Sequence, residues 1–331
     1  MVKTILITGG CGFIGSHLSL LLKRKGFNVI IIDNLSIGKK ELFRGNKFYK
    51  VDLCNFKKLE KIFIDNSINL IFHLAGLSKV TESFVKKKLY KKNNINGTKN
   101  IIKLTKKYKV KYFVFSSSAA VYGSKKKFPI KENSKLTPIS YYGKTKLICE
   151  NIIKKNSSNE SYKAICLRYF NVVGCDYKNK LGEVHNPPIH LIPIFIQNIL
   201  KNKPLSLRNN FNTRDGTGIR DYVHIIDIVN AHYMCLKKIN KIKNYFTSIN
   251  LGSKLQYSSK EILELLKKSL NTKNIKIIST NKKIGEPDKL LASNNLALKI
   301  LGWKAKKNIR FSIENMIKWE RYKFKNKYNF Y

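Results

Sequence analysis

The chain has 331 residues, 43% of them hydrophobic, and a formal net charge of +45. That length supports a large core in two lobes, and no uncharged apolar run reaches the roughly 18 residues of a helical membrane span. The charge is an excess of lysine, 57 residues against eight arginines, spread along the whole chain; a nucleic-acid site calls for clustered arginine, so this is compositional drift and no specific nucleic-acid partner is expected.

The chain runs from "MVK" straight into "TILIT" (Thr4–Thr8), a β-rich stretch that leaves no room for a signal peptide. Six scattered cysteines (Cys11, Cys54, Cys149, Cys166, Cys175, Cys235) show neither metal spacing nor a pairing pattern. Reduced thiols, a cytoplasmic location and no bound metal are expected. "TGGCGFIG" then sets Gly9, Gly12 and Gly15 between that strand and the helical pattern "FIGSHLSLLLKRKG". Strand, glycine turn and helix are the context of a dinucleotide loop, in which bare backbone approaches a pyrophosphate at a helix N-terminus. "NVIIID" is a second strand, closing on Asp33, 18 residues after Gly15. A carboxylate there accepts from ribose hydroxyls and repels a 2′-phosphate, which favours NAD over NADP. "VDL" puts Asp52 where an adenine-edge acceptor would lie.

"NLIFHLAG" (69–76), "KYFVFSSS" (111–118) and "YKAICLRYFN" (162–171) are further strands, separated by helical segments such as "SYYGKTKLICENIIKKN". Strands alternating with helices, apolar on both faces, predict a doubly wound parallel sheet of Rossmann type, α/β in class, over residues 1–172. After Asn171 the prolines Pro187, Pro188, Pro193 and Pro204 break the pattern. A smaller mixed α/β lobe is expected over 173–331, with a return to the first lobe near 220–252, where "DYVHIIDIVNAHYMCLKK" and "TSINLG" stand.

Three Tyr–Lys pairs have the four-residue spacing that shares a helix face: Tyr122/Lys126, Tyr142/Lys146 and Tyr233/Lys237. A nearby ammonium favours the phenolate, so such a pair can form a general base. Only Tyr142/Lys146 follows the loop after the strand ending at Ser118, near the carboxyl edge where such sheets bind ligands, whereas Tyr122/Lys126 lies within a Gly-Ser-Lys loop. The other two are expected to be structural.

With "DNLS", "HLAGLSKVTES", "NNINGT", "FSSSAAVYG", "RYFNVVG", "HLIP", "DGTGIRDYVHI", "INLGS" and "LGW", these stretches resemble the extended short-chain dehydrogenase/reductases nearly end to end, most closely their UDP-glucose 4-epimerase branch. The resemblance implies an NAD-binding first lobe, a UDP-sugar-binding second lobe and a homodimer joined through the Tyr142 helix and the helix near 93–107. Tyr142 would take the proton of the sugar 4-hydroxyl as C4 gives its hydride to NAD. Lys146 would steady the phenolate and hold the nicotinamide ribose, and Ser118 would bond O4. NAD would lie along Gly9, Gly12, Phe13, Ile14, Gly15, Asp33, Asn34, Asp52, Leu53, Leu74, Ala75, Gly76, Asn93, Ser116 and Tyr169. Asn171 and Arg220 would contact the diphosphate, His190 and Leu191 the uracil.

Ala119 and Ala120 follow Ser118 where related dehydratases and decarboxylases carry acids, so return of the hydride, hence epimerisation, is the outcome the resemblance implies. The sequence departs from the family pattern in "KKIGEP", where Lys283 and Glu286 replace an Arg and an Asp that bind phosphate and uridine ribose, and at Arg208 and Ser78. Leu290, four positions after Glu286, would face the hexose C2 substituent. A smaller residue than Tyr there leaves room for an N-acetyl group, so a UDP-N-acetylglucosamine or dual-specificity epimerase is the nearest alternative. A non-catalytic basic RNA- or nucleotide-binding protein on the same fold is the remote one.

Overall fold

In the computed structural model, which describes residues 3–272 and 274–325, short apolar runs with no polar face become the buried centre. Ile5, Leu6 and Ile7 are fully buried in β1 (Thr4–Thr8), as are Val29, Ile31 and Ile32 in β2 (Asn28–Asp33). They are joined by β3 (Lys47–Lys50), β4 (Leu70–His73), β5 (Tyr112–Ser118), β6 (Lys163–Tyr169) and, much later in the chain, β10 (Phe246–Leu251). The sheet order is β10-β6-β5-β4-β1-β2-β3, and every neighbouring pair is parallel. Alternate residues face opposite sides. Ile5, Ile7 and Ile31 pack with Leu18 of helix Phe13–Arg24 and Ile228 of helix Ile225–Lys238. Leu6, Ile30 and Ile71 pack with Leu59 of helix Phe56–Ile64, Ile101 of helix Gly97–Lys107 and Ile153 of helix Tyr141–Asn156. Two buried faces are what a continuous Val/Ile/Leu run demands of a parallel sheet.

The chain winds outward from β1 in both directions, so the strand order reverses between β1 and β4. Ligands of such sheets sit at the carboxyl ends beside that switch point.

Two small sheets complete the fold. β7 (Asn171–Val173) pairs in parallel with β9 (Ile219–His224), which pairs antiparallel with β11 (Gln256–Ser258). β8 (Leu205–Asn209) pairs in parallel with β12 (Ile277–Asn281). "DYVH" is therefore the end of β9 in a small sheet, and the chain rejoins the main sheet through helix Ile225–Lys238 and β10. β3 escapes a reading by periodicity because it is an edge strand with exposed Lys47 and Lys50 at its ends. Among the described residues no helix is long and apolar enough to cross a membrane.

Candidate active site

The glycine loop is shaped by contacts that leave no space for side chains. Gly9 has φ +71°, and a Cβ on Gly15 would lie 2.2 Å from the Gly9 carbonyl oxygen. The turn thus brings the first turn of helix Phe13–Arg24 against the end of β1, with backbone exposed where a pyrophosphate would approach. Asp33 closes the loop from β2: Oδ2 accepts from the Cys11 N–H at 3.0 Å and Oδ1 from the Leu35 N–H at 2.8 Å. Burial raises its pKa and those two N–H donors lower it. Asp52 is fixed in the same way by the Cys54 N–H at 2.8 Å. A cradle that a Cβ would fill, with an oriented acid beside it, fits a dinucleotide.

Across the loop, Ser140 caps helix Tyr141–Asn156 by accepting from the Gly143 N–H at 3.0 Å. The cap fixes the helix start, and the Tyr142 N–H donates to Ser83 Oγ at 3.0 Å. The Tyr142 phenol thereby faces Ser118 at the end of β5, near enough for the serine hydroxyl to act on its titration. Burial pushes the phenol up to about 12, and the nearby Ser118 hydroxyl opposes that rise. Lys146, one helical turn after Tyr142, reaches the same cleft on the same helix face. Its Nζ donates to the Ser116 carbonyl at 2.6 Å and stands 5.9 Å from the Tyr142 ring centroid. Sharing a helix face brings the two side chains to one cleft, but the strand carbonyl is the stronger local acceptor for a buried ammonium. Burial lowers Lys146 to about 8.

Below these groups lies a second set of buried polar side chains. The Tyr169 hydroxyl donates to His232 Nε2 at 2.7 Å, and burial raises its pKa well above the usual phenol range, with Ser116 nearby opposing the rise. His232 is the acceptor because its Nδ1–H donates to the Ile228 carbonyl at 2.8 Å. Burial holds that imidazole neutral, at about 4. His73, at the end of β4, lies between Thr8 (2.7 Å) and Thr98 (2.9 Å), and burial, with Lys146 adding to it, lowers it to about 3. Asn94 ties both backbone groups of Leu77 and the Thr145 hydroxyl together, while its neighbour Asn93 lines the cleft. Sequence reasoning missed His73, His232, Ser83 and Asn94. His73, Ser83 and Asn94 stand inside motifs already singled out, but His232 carries no local signal.

The opposite rim is built from the second lobe. Arg220, on β9, donates through Nη1 to the carbonyls of Ile219 (2.9 Å) and Asp288 (3.3 Å), and burial lowers its pKa. His190, capping helix Leu191–Leu200, points Nδ1 at Glu183 Oε1 (2.8 Å), which also meets His185 Nδ1 (3.0 Å). Burial raises Glu183, but the two imidazoles outweigh it and the carboxyl lies well below its usual range. Burial lowers His190 and Glu183 raises it, with a net rise. Among the described residues this is the one cluster with metal-ligand chemistry, and its geometry is that of one carboxylate oxygen facing two imidazole nitrogens. Glu286 pairs with Arg208 and accepts from the Lys283 N–H at 3.0 Å, and the Leu290 N–H donates to Ile219 O at 3.0 Å.

All of the residues expected to hold cofactor or substrate line a single cleft of about 890 Å³. It runs from Gly9, Asp33 and Asp52 past Ser118 and Tyr142 to Arg220, His190 and Leu290. Tyr122 and Lys126 lie outside it, with the Tyr122 hydroxyl donating to Asn250 at 2.7 Å in the core.

Comparison with known proteins agrees with this arrangement. A model described as the NAD dependent epimerase/dehydratase family matches residues 5–252. The UDP-glucose 4-epimerase of Halalkalibacterium halodurans is 36% identical over 320 residues, covering 96% of this chain and 95% of that protein. The structure of UDP-glucose 4-epimerase from Bifidobacterium longum in complex with NAD+ and UDP superposes with a TM-score of 0.91 at 31% identity, over 99% of this chain and 100% of that one. A Thermotoga maritima UDP-glucose 4-epimerase with UDP-glucose gives a TM-score of 0.87 at 29% identity, covering 97% and 100%.

Proposed function

We infer that this chain, which belongs to the NAD dependent epimerase/dehydratase family, is an isomerase that inverts C4 of a UDP-hexose through a transient 4-keto sugar, converting UDP-glucose to UDP-galactose. The observation that carries the reading is the single cleft joining the glycine cradle, the Tyr142–Ser118 pair and the cationic rim. NAD, when bound, accepts the C4 hydride and returns it, and its positive ring supplies the charge that draws the phenol pKa down toward neutrality.

Every other part of the reaction falls to this chain. Gly9, Gly12 and Gly15 admit the pyrophosphate, Asp33 takes the adenosine ribose hydroxyls, and Lys146, held by the Ser116 carbonyl, presents its remaining donors to the second ribose. Tyr142 removes the O4 proton and gives it back, and Ser118 holds O4 between the two transfers. Arg220 and Asn171 hold the diphosphate while the hexose turns about it, so the hydride returns to the opposite face. Ala119 and Ala120 offer no proton relay beside Ser118, so elimination has no acid or base there.

The helices 97–107 and 141–156 are the proposed dimer faces; exposed Ile148 on the second supports this. A cytoplasmic location is supported by six free cysteines. The test is incubation with UDP-glucose without added NAD, read by NMR. UDP-galactose is expected, with NAD released only on denaturation. Accumulation of NADH in proportion to oxidised sugar would overturn the reading.

A further inference from the structure

We propose that Arg208 is a ligand of the substrate diphosphate and that Glu286 acts through it, as its positioning residue, without touching the nucleoside ribose. The proposal rests on the nucleotide-sugar reading above and names how the rim of that site works. Arg208 stands on β8 opposite Thr280 of β12, and Glu286 follows β12 in the next turn. This two-stranded sheet is separate from the other two, and the pair lines the cleft from it.

Both carboxylate oxygens of Glu286 already have donors on this wall: Oε1 faces Arg208 Nη1 and Oε2 faces the Lys283 N–H. A carboxylate held on both oxygens is oriented along the rim. The Arg208 side chain is 38% exposed. One of its nitrogens is on Glu286, and a guanidinium has further N–H donors in the same plane for a phosphate fork. Lys283 has only a point charge to offer.

The charge count agrees. Arg208, Arg220 and Lys283 line this end of the cleft, and Glu286 is the carboxylate among them. Three positive charges less one negative leave two, which matches the two negative charges of a diphosphate diester. Arg208 also adds to the lowering of the Arg220 pKa, the repulsion of two like charges at one end of the cleft. An anion between them relieves it.

The experiment titrates the NAD-loaded protein with uridine, UMP and UDP by calorimetry, in wild type, Arg208→Ala, Arg208→Lys, Glu286→Ala and the Arg208→Ala/Glu286→Ala double variant. Arg208→Ala is expected to weaken UDP by about 10- to 100-fold and uridine by less than about twofold, with Arg208→Lys close to it. Glu286→Ala loses less on UDP, nothing on uridine, and the double variant matches Arg208→Ala. KM for the sugar nucleotide rises while kcat at saturation stays within about threefold.

Equal loss of uridine and UDP affinity in Glu286→Ala would place the carboxylate on the ribose and overturn the proposal. So would unchanged UDP affinity in Arg208→Ala, or a double variant whose loss multiplies the two single losses. Arg208→Lys retains the charge and serves where the alanine variant fails to fold. A wild type that binds UDP in this pattern without epimerising the sugar would defeat the functional reading and leave this one standing.

Discussion

The two walls of the cleft are made differently. On the main-sheet side the working groups rest on fixed partners: Lys146 on the Ser116 carbonyl, Tyr169 on His232 and His232 on the Ile228 carbonyl. His73 and Lys146 are 1% and 4% exposed. On the rim side, Arg208 and Glu286 are held by their ion pair and His190 by Glu183, and the His190 side chain is 44% exposed. Chemistry that moves a hydride and a proton within one bound complex demands placement within a fraction of an ångström, and a buried hydrogen-bonded underlayer gives it. A sugar nucleotide that enters, turns and leaves is better served by charges at a wet rim, where each contact is weaker and can be remade.

The comparison breaks most visibly at Tyr142. Tyr142→Phe removes the phenol and leaves the shape of the rigid wall, so epimerisation is expected to fall by about three orders of magnitude while NAD remains with the protein. Product NMR together with nicotinamide released on denaturation measures both. A variant that turns over at a tenth of the wild-type rate would show that Tyr142 is not the base.

Acid separates the walls by the sign of their effect on stability. His73 and His232 have folded pKa values of about 3 and 4 against 6.5 in the unfolded chain. The unfolded state binds protons that these sites refuse, so their contribution is full above pH 6.5 and is lost as pH falls toward 4. The slope is about 1.4 kcal/mol per pH unit for each histidine. His17 and His224 act in the same direction. His190, raised by Glu183, has the opposite sign: its contribution is present below pH 6.5 and fades as pH rises through its folded value. Urea midpoints at pH 7 and pH 5 should fall on acidification in wild type and fall less in His73→Gln. A flat profile would mean that the buried imidazoles accept protons without cost.

The smallest effect belongs to Leu290, which lines the cleft and packs its side chain against the cluster of Val121, Ile130 and Ala292. A leucine leaves room beside the hexose, so the wild type should epimerise UDP-N-acetylglucosamine as well as UDP-glucose. Leu290→Tyr should cut the N-acetyl reaction by roughly tenfold, the cost of crowding a packed pocket by 1–3 kcal/mol. Equal handling of both sugars by the variant would remove Leu290 as the gate.

Sequence reasoning reached the rigid wall more readily than the rim. The glycine loop, Asp33 and the Tyr142–Lys146 spacing are local patterns, and the sheet turns local patterns into one edge. What escaped was the partner of each group. Nothing in the spacing of Tyr142 and Lys146 tells that the ammonium prefers a strand carbonyl 30 residues away in the chain. His73 and His232 read as ordinary members of apolar runs. Arg208 and Glu286 each looked like an isolated departure because 78 residues separate them, and only the pairing of β8 with β12 makes them one feature.

The position of β10 has a consequence for how the chain is made. Its pairing with β6 runs from Ala164–Phe246 to Tyr169–Leu251, and the strand is translated only after the whole of β7, β8 and β9. Until it emerges from the ribosome, β6 is the open edge of a sheet, a row of unpaired N–H and C=O groups beside the apolar side chains of Ala164, Ile165 and Leu167. Such an edge recruits strands from neighbouring chains. The same late strand that seals the cofactor lobe therefore also ends the interval in which the nascent protein is most prone to aggregate.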